Sequence, residues 1–284
     1  MKKTNSNIIE RVAQEMQLQN YSQRTIDSYI ASLTKLEAYT KKPLKILSIE
    51  EFKEFLYYRL KVDEISVSTL NQSISAFKIL RQSVLGLKWE SFRIKRPRRE
   101  KKLPEVLSKK EIENIILYTT NIKHKALISL AYSSGMRREE VRNLLITDID
   151  SETMRIKVKR GKGKKDRYTI LSQTTLELLR LYYREYLPGH YLFEPAGVKG
   201  RRYGAGTLNT IVKGAAERAG VGKNISFHTL RHSFATHLLE NGINIMLIKK
   251  LMGHNSVKTT SIYLHLANID RAKIVSPLDN MKIM

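Results

Sequence analysis

Six side chains in this sequence could handle a phosphodiester together: Arg137, Lys162, His228, Arg231, His254 and Tyr263. The densest stretch is residues 225–265. His228, Arg231 and His232 stand at i, i+3 and i+4, so a helix would set them on one face. His254 follows, with Tyr263 nine residues later, and no Asp or Glu lies between 241 and 269. A site rich in Arg, His and Tyr but without a carboxylate suits an anionic substrate. Arginine offers phosphate two parallel hydrogen bonds and keeps its proton, so Arg137 and Arg231 are the candidates to hold a phosphate and the charge that builds on it. Tyr263 can be the nucleophile, although an ordinary phenol pKa of about 10 calls for nearby cations or a base. His228 and His254 suit hydrogen bonding and proton transfer near neutrality. Lys162, on a turn, can supply a proton to the leaving 5′ oxygen. The product would be a phosphotyrosine and a free 5′ hydroxyl. The bond energy is kept, so neither ATP, metal nor cofactor is called for. His232 and His237 read as structural.

The composition narrows the partner. The chain has 284 residues and a formal net charge of +24, with 42% hydrophobic and 27% charged residues. That excess of positive charge opposes compaction and points to a polyanion, nucleic acid before an acidic membrane surface. Residues 1–102 carry 21 basic and 11 acidic residues (+10), and residues 103–284 carry 30 and 16 (+14). Both halves are therefore expected to touch the same partner, as a two-domain clamp. There is no cysteine, which excludes disulfides, thiolate nucleophiles and Cys-ligated zinc. No apolar run approaches the roughly 18 residues of a membrane span, and no secretory segment opens the chain, so the default location is cytoplasmic.

The elements that must position these residues are mostly helices. Ile8, Ile9, Val12 and Met16 make one apolar helical face, and Ser22 caps a second helix through Leu36. Ser48 and Glu51 form a capping box for a third, and Ser66 or Ser68 opens a fourth. Residues 1–92 thus read as an all-helical domain. The linker 93–104 holds seven basic residues, one acid and two prolines. Its Arg93, Lys95, Arg96, Arg98, Arg99, Lys101 and Lys102 are expected to lie along DNA phosphates as an extended strap. The second domain, 105–284, opens on another capping box, Ser108 and Glu111. A helix from His124 to Ser133 stops at Gly135, and Met136–Leu145 is helical in pattern. Alternation at 153–171 predicts a β-hairpin with a Gly-rich turn at 160–164. Lys159, Arg160, Lys164 and Lys165 there, and Arg201 and Arg202 in the loop 194–206, are further DNA-contact candidates. Helices are predicted over 176–186 and 207–219. The fold class is mainly α with a small antiparallel β-sheet in an α+β catalytic domain, the two domains closing as a C-shaped DNA clamp.

Taken together the boxes resemble the tyrosine recombinase (phage integrase) family, in its compact Xer-like or transposon- and integron-type layout. The matching pieces are Ser134-Gly135-Met136-Arg137-Arg138-Glu139-Glu140, Gly161-Lys162-Gly163, His228-Thr-Leu-Arg231-His232-Ser-Phe-Ala-Thr-His237, and Leu251-Met-Gly253-His254 followed by Tyr263. The resemblance implies that Arg137 and Arg231 bind the scissile phosphate and Lys162 acts as general acid. It implies that His228 assists as base or donor, His254 positions the phosphate, and Tyr263 forms a 3′-phosphotyrosyl link. It also implies a homotetramer on two duplexes with paired inverted half-sites, strand exchange through a Holliday junction, and a C-terminal tail docked on a neighbour. Ile274, Val275, Leu278 and Met281 are the tail candidates, and a second recombinase or accessory protein is a further expected partner. Glu139 departs from the family, where a small residue is common, and puts a second carboxylate near Arg137. Lys164 stands as an alternative to Lys162. No arm-site domain is expected. Chromosome dimer resolution and mobile-element integration or excision remain alternatives, as do a type IB-like DNA relaxing enzyme and a catalytically silent DNA binder.

Overall fold

The computed structural model describes residues 2–89, 96–97, 103–159 and 166–267. The chain divides into two compact units, residues 1–101 and 102–284. Among its described residues the first has four α-helices, α1 (Lys2–Leu18), α2 (Gln23–Thr40), α3 (Ile49–Lys61) and α4 (Val67–Ile79), with a short 3-10 turn at Leu44–Ile46 and a wider π turn, Leu80–Val84, continuing α4. Their starts follow side-chain chemistry. Ser22 and Ser66 accept the backbone N–H groups of Thr25 and Thr69, and Ser48 and Glu51 exchange bonds as a capping box. Ser66, rather than Ser68, is the cap of α4. Apolar residues at helical spacing turn inward: Val12 and Met16, Leu33 and Leu36, Phe52 and Phe55, Ile74 and Phe77. The Phe52 and Phe77 rings stack with centroids 3.9 Å apart. Arg96, expected on a free strap, donates to the Asn71 carbonyl and to Ser75 Oγ, while Asn71 Nδ2 donates to the Pro97 carbonyl. This part of the linker is therefore tied to α4. Arg93, Lys95, Arg98, Arg99, Lys101 and Lys102 lie outside the described residues.

The second unit is built around α6 (Ile122–Ser134), whose Ala126, Leu127, Ile128, Leu130 and Ala131 are fully buried. Before it comes α5 (Lys109–Leu117), begun by the Ser108–Glu111 box. After it come α7 (Arg138–Arg142) and a three-stranded antiparallel sheet, β1 (Ile149–Asp150), β2 (Arg155–Val158) and β3 (Arg167–Ile170), in the order β1-β2-β3. Then follow α8 (Gln173–Tyr186), α9 (Thr207–Arg218), α10 (Phe227–Glu240), α11 (Ile245–Met252) and α12 (Val257–Thr260), with a 3-10 turn at Ser261–His265. β2 alternates as expected, with Ile156 and Val158 buried and Arg155 exposed. Residues 160–165, which include the predicted Gly-rich turn with Arg160, Lys162 and Lys164, and Lys165, lie outside the described residues.

One predicted helix needs correction. The helix read over Met136–Leu145 is only Arg138–Arg142. Arg137 is extended (ψ 153°), Asn143 Nδ2 bonds back to the Glu139 carbonyl, and the Leu144 carbonyl accepts the Leu192 amide. The apolar residues at 144 and 145 thus serve a loop crossing rather than another helical turn. Strand β1 was not foreseen, because a two-residue strand carries no alternation to read. No helix among the described residues is long and apolar enough to cross a membrane.

Candidate active site

The site begins where α6 ends. Gly135 caps that helix in the left-handed region (φ 60°), and a Cβ there would sit 2.2 Å from Phe234 Cδ1. Only glycine makes this turn against α10. The turn sends Met136 into the core and leaves Arg137 at the N-terminus of α7. Three residues on, Glu140 folds back. Its carboxylate accepts the Arg137 amide at 2.7 Å and Arg137 Nη1 at 2.8 Å. It also accepts both Nη atoms of Arg167, on β3, at 2.8 Å each. Burial by itself raises the Glu140 carboxyl. The Arg167 and Arg137 bonds and charges more than reverse that, holding it at about 2.

Arg231 enters from the first turns of α10, which is only 3% exposed at this position. Its Nη1 donates to the Gly135 carbonyl, and its Nη2 donates to the Met252 carbonyl at 2.6 Å. Nη2 also lies 2.9 Å from His254 Nε2. A guanidinium has no acceptor, so Nε2 must accept, which leaves the proton on Nδ1 to meet Thr260 Oγ1 at 2.9 Å. His254 is neutral here. Burial first, then the Arg231 and Arg137 charges, push its pKa down to about 3.

The end of α11 gathers the arginines. Its last residues leave carbonyls without helical partners, at the negative end of the helix dipole. Three guanidiniums take three successive ones: Arg167 Nε on Leu251 at 2.9 Å, Arg231 on Met252, and Arg137 Nη2 on Gly253 at 2.8 Å. Gly253 then turns in the left-handed region (φ 61°) and delivers His254.

Tyr263 is 2% exposed, packed in a small cluster with Phe234, Ala235, Ile248 and Met252. Its ring lies parallel to that of His254, with centroids 6.4 Å apart. Its hydroxyl lies 3.0 Å from His232 Nδ1. Burial raises the phenol to about 12, and the charges of Arg231 and Arg137 pull the other way. His232 is lowered to about 4, by burial first and then by His228 and Arg231. Both partners are therefore neutral near pH 7.

Of the six residues singled out by type and spacing, Arg137, Arg231, His254 and Tyr263 come together. His228 is exposed on the first turn of α10, its pKa lowered by partial desolvation and then by Arg231, Arg138 and Arg137. Lys162 lies outside the described residues. His232, read as structural, contacts the tyrosine hydroxyl. His237, also read as structural, meets Tyr132 Oη at 2.9 Å. Glu139, the departure from the family pattern, pairs with Arg138 and Arg142 rather than with Arg137. Lys159 pairs with Asp148 at 2.6 Å, and Arg202 reaches Asn143 Oδ1, while Arg201 is exposed. Glu140 stands in the first arginine box without an assigned role, and Arg167 escaped the sequence reading. An Arg-x-x-Glu spacing hints at the first. The second meets its partner across 27 residues of chain, which no local pattern encodes. Among the described residues no three His, Asp or Glu side chains are grouped as a metal would need.

These shifts set how stability depends on pH. Glu140 titrates at about 2 in the fold against an ordinary 4.5, so its contribution is complete above 4.5 and is lost as pH falls toward 2. His254 and His232 titrate at about 3 and about 4 against 6.5. They stay neutral in the fold but bind protons once unfolded, so stability also falls as pH drops from 6.5 through those values. Melting at stepped pH is expected to change little from pH 7 to 8.5 and to weaken steadily below 6.5. Pairing His232→Asn with His254→Asn should flatten the upper part of that fall. A melting temperature that rises on acidification to pH 5 would contradict the assignment.

Comparison with known proteins meets this geometry from outside. Residues 105–269 match the phage integrase family, and residues 8–91 match the N-terminal SAM-like domain of phage integrases. The tyrosine recombinase XerA of Pyrococcus horikoshii is 33% identical over 287 residues, covering 96% of each chain. A tyrosine recombinase of Thermosipho africanus is 31% identical over 273 residues, covering 92% of this chain and 95% of its own. Among solved structures, a XerH site-specific recombinase bound to its difH substrate in a pre-cleavage complex superposes with a TM-score of 0.69. It is 26% identical, covering 90% of this chain and 79% of that one.

Proposed function

Since the chain belongs to the phage integrase family and is a tyrosine site-specific recombinase, we propose that it cleaves and rejoins duplex DNA through Tyr263, without metal or ATP. The observation that carries this reading is the convergence of Arg137, Arg231, His254 and Tyr263 around the end of α11. In the proposed reaction Arg137 and Arg231 exchange carbonyl partners for the oxygens of the scissile phosphate. His254 lets go of Arg231 and takes a phosphate oxygen. The Tyr263 oxygen attacks phosphorus, its proton passing to His228. The bond from phosphorus to the 5′ oxygen breaks, and Lys162 protonates that oxygen. A 3′-phosphotyrosyl link and a 5′ hydroxyl result, and attack by another strand's 5′ hydroxyl reverses the step.

In this reading residues 1–92 and 105–284 clasp the duplex, with the linker basic residues and Arg160, Lys164, Lys165, Arg201 and Arg202 on phosphates. Lys159 must leave Asp148, and Arg202 must leave Asn143, to join them. The active form is a homotetramer on two sites of inverted half-sites, held by tail exchange and passing through a Holliday junction in the cytoplasm. The test is covalent capture. A library of nicked duplexes with randomised half-sites, in EDTA, is incubated with the protein and denatured, and protein-bound strands are sequenced. An inverted repeat flanking the nick is expected. Bound strands without any shared sequence would favour a DNA relaxing enzyme, and DNA binding with no covalent product a silent binder.

A further inference from the structure

Arg167 has no part in the proposed reaction, yet it is bonded to two pieces of the site's scaffold, Glu140 and the end of α11. Its side chain is 11% exposed and all three of its nitrogens are committed. Both Nη atoms hold Glu140, the carboxylate that in turn grips Arg137 through its amide and its guanidinium. Its Nε holds the Leu251 carbonyl, two residues before the turn that delivers His254. The neighbouring backbone is shaped to admit it. A Cβ on Gly253 would lie 2.8 Å from Arg167 Cδ and 2.9 Å from Nε, so the bare glycine leaves the groove that the side chain fills.

We propose that Arg167 is a positioning residue for strand cleavage: bridging β3, α7 and α11, it sets Arg137 through Glu140 and sets His254 through the end of α11. The proposal rests on the reading of Tyr263, Arg137 and His254 given above. A planar fork is needed because Glu140 is met by two parallel bonds while the third nitrogen points to a different element; the single nitrogen of a lysine cannot present the parallel pair and reach Leu251 at the same time. Both Nη atoms of Arg167 hold the charged Glu140 carboxylate rather than a carbonyl, so it acts on the phosphate through its neighbours. Its loss would let Glu140 and Arg137 drift, and displacement of about 1 Å in a reacting geometry costs about 100-fold in rate.

The experiment measures the single-turnover rate of covalent adduct formation on the captured site at saturating protein, with DNA affinity and melting measured beside it. Arg167→Met is expected to slow cleavage about 100-fold with DNA affinity held within about threefold, and Arg167→Lys about tenfold. A substrate whose bridging 5′ oxygen is replaced by sulfur separates the two halves of the chemistry, because a thiolate leaves without a proton. That substrate should restore Lys162→Ala by at least about tenfold and leave both Arg167 variants slow. Cleavage by Arg167→Met within about threefold of the parent would overturn the proposal. So would full rescue by sulfur, which would place Arg167 behind the general acid instead. If the methionine variant does not fold, Arg167→Lys carries the same comparison, and a parental rate overturns the claim. No adduct with the parent protein would overturn the tyrosine reading itself, and the proposal with it.

Discussion

Tyr263→Phe folds, binds DNA as the parent protein does, and forms no covalent adduct: this is the largest effect expected of any single change. The phenylalanine ring keeps the packing of Tyr263 against Phe234, Ile248 and Met252. What is lost is the hydrogen bond to His232 Nδ1, worth about 1 kcal/mol, and with it the oxygen proposed as the nucleophile. The rate of strand cleavage should fall by at least about 10³-fold, and any remaining cleavage, by water, yields a free phosphate end and no adduct. The hydroxyl is buried and held near 12 in the structure described, so attack requires that a bound phosphate and its partners rearrange around it. Filter binding, melting and denaturing gels on the captured site measure the three properties separately. An adduct formed at the parental rate by the phenylalanine variant would remove Tyr263 from the chemistry.

Arg231→Met should lose nearly as much. Arg231 joins α6, α10 and α11 by donating to Gly135 and Met252, and it fixes the His254 tautomer. Burial lowers its pKa to about 10, so the charge is held at a cost and still present at pH 7. A fork so placed is available to a phosphate whose charge grows during attack, and removing one such donor typically costs about 10²–10³-fold. With the His254 tautomer released as well, a fall of about 10³–10⁴-fold is expected. The two carbonyls left without a donor add a folding cost of about 1–3 kcal/mol each. Arg231→Lys keeps the charge but not the fork, and should recover no more than about tenfold of the loss. Single-turnover cleavage, with chemical denaturation beside it, separates rate from stability. Cleavage by Arg231→Met within about tenfold of the parent would contradict the role.

Much of this was legible in the residue order, and the reason differs from part to part. Capping chemistry is local, so the starts of α2, α3 and α5 at Ser22, Ser48 and Ser108 could be read directly. Arg137, Arg231, His254 and Tyr263 could be picked out because type and spacing repeat a family pattern. What the sequence hid is set by tertiary partners. Met136–Leu145 has helical periodicity, but Leu144 and Leu145 are taken by the segment at 191–192. His232 shares the helical face of His228, and spacing cannot tell which of the two meets the hydroxyl. Glu139 and Glu140 are neighbours in sequence, and only the turn of α7 decides that the second faces Arg137 while the first faces Arg142. Arg167 reads as one more charge on a basic hairpin until Glu140 and the end of α11 are placed beside it.

The central claim is a covalent bond at one oxygen, and it can be looked for directly. The protein is trapped on a nicked duplex carrying its captured site in EDTA, the DNA is trimmed with nuclease, and tryptic peptides are sequenced by mass spectrometry. The expected result is a nucleotide carried by the peptide 259–271, on Tyr263. A nucleotide on any other residue, or strand breakage that appears only when divalent metal is added and leaves no modified peptide, would contradict the account.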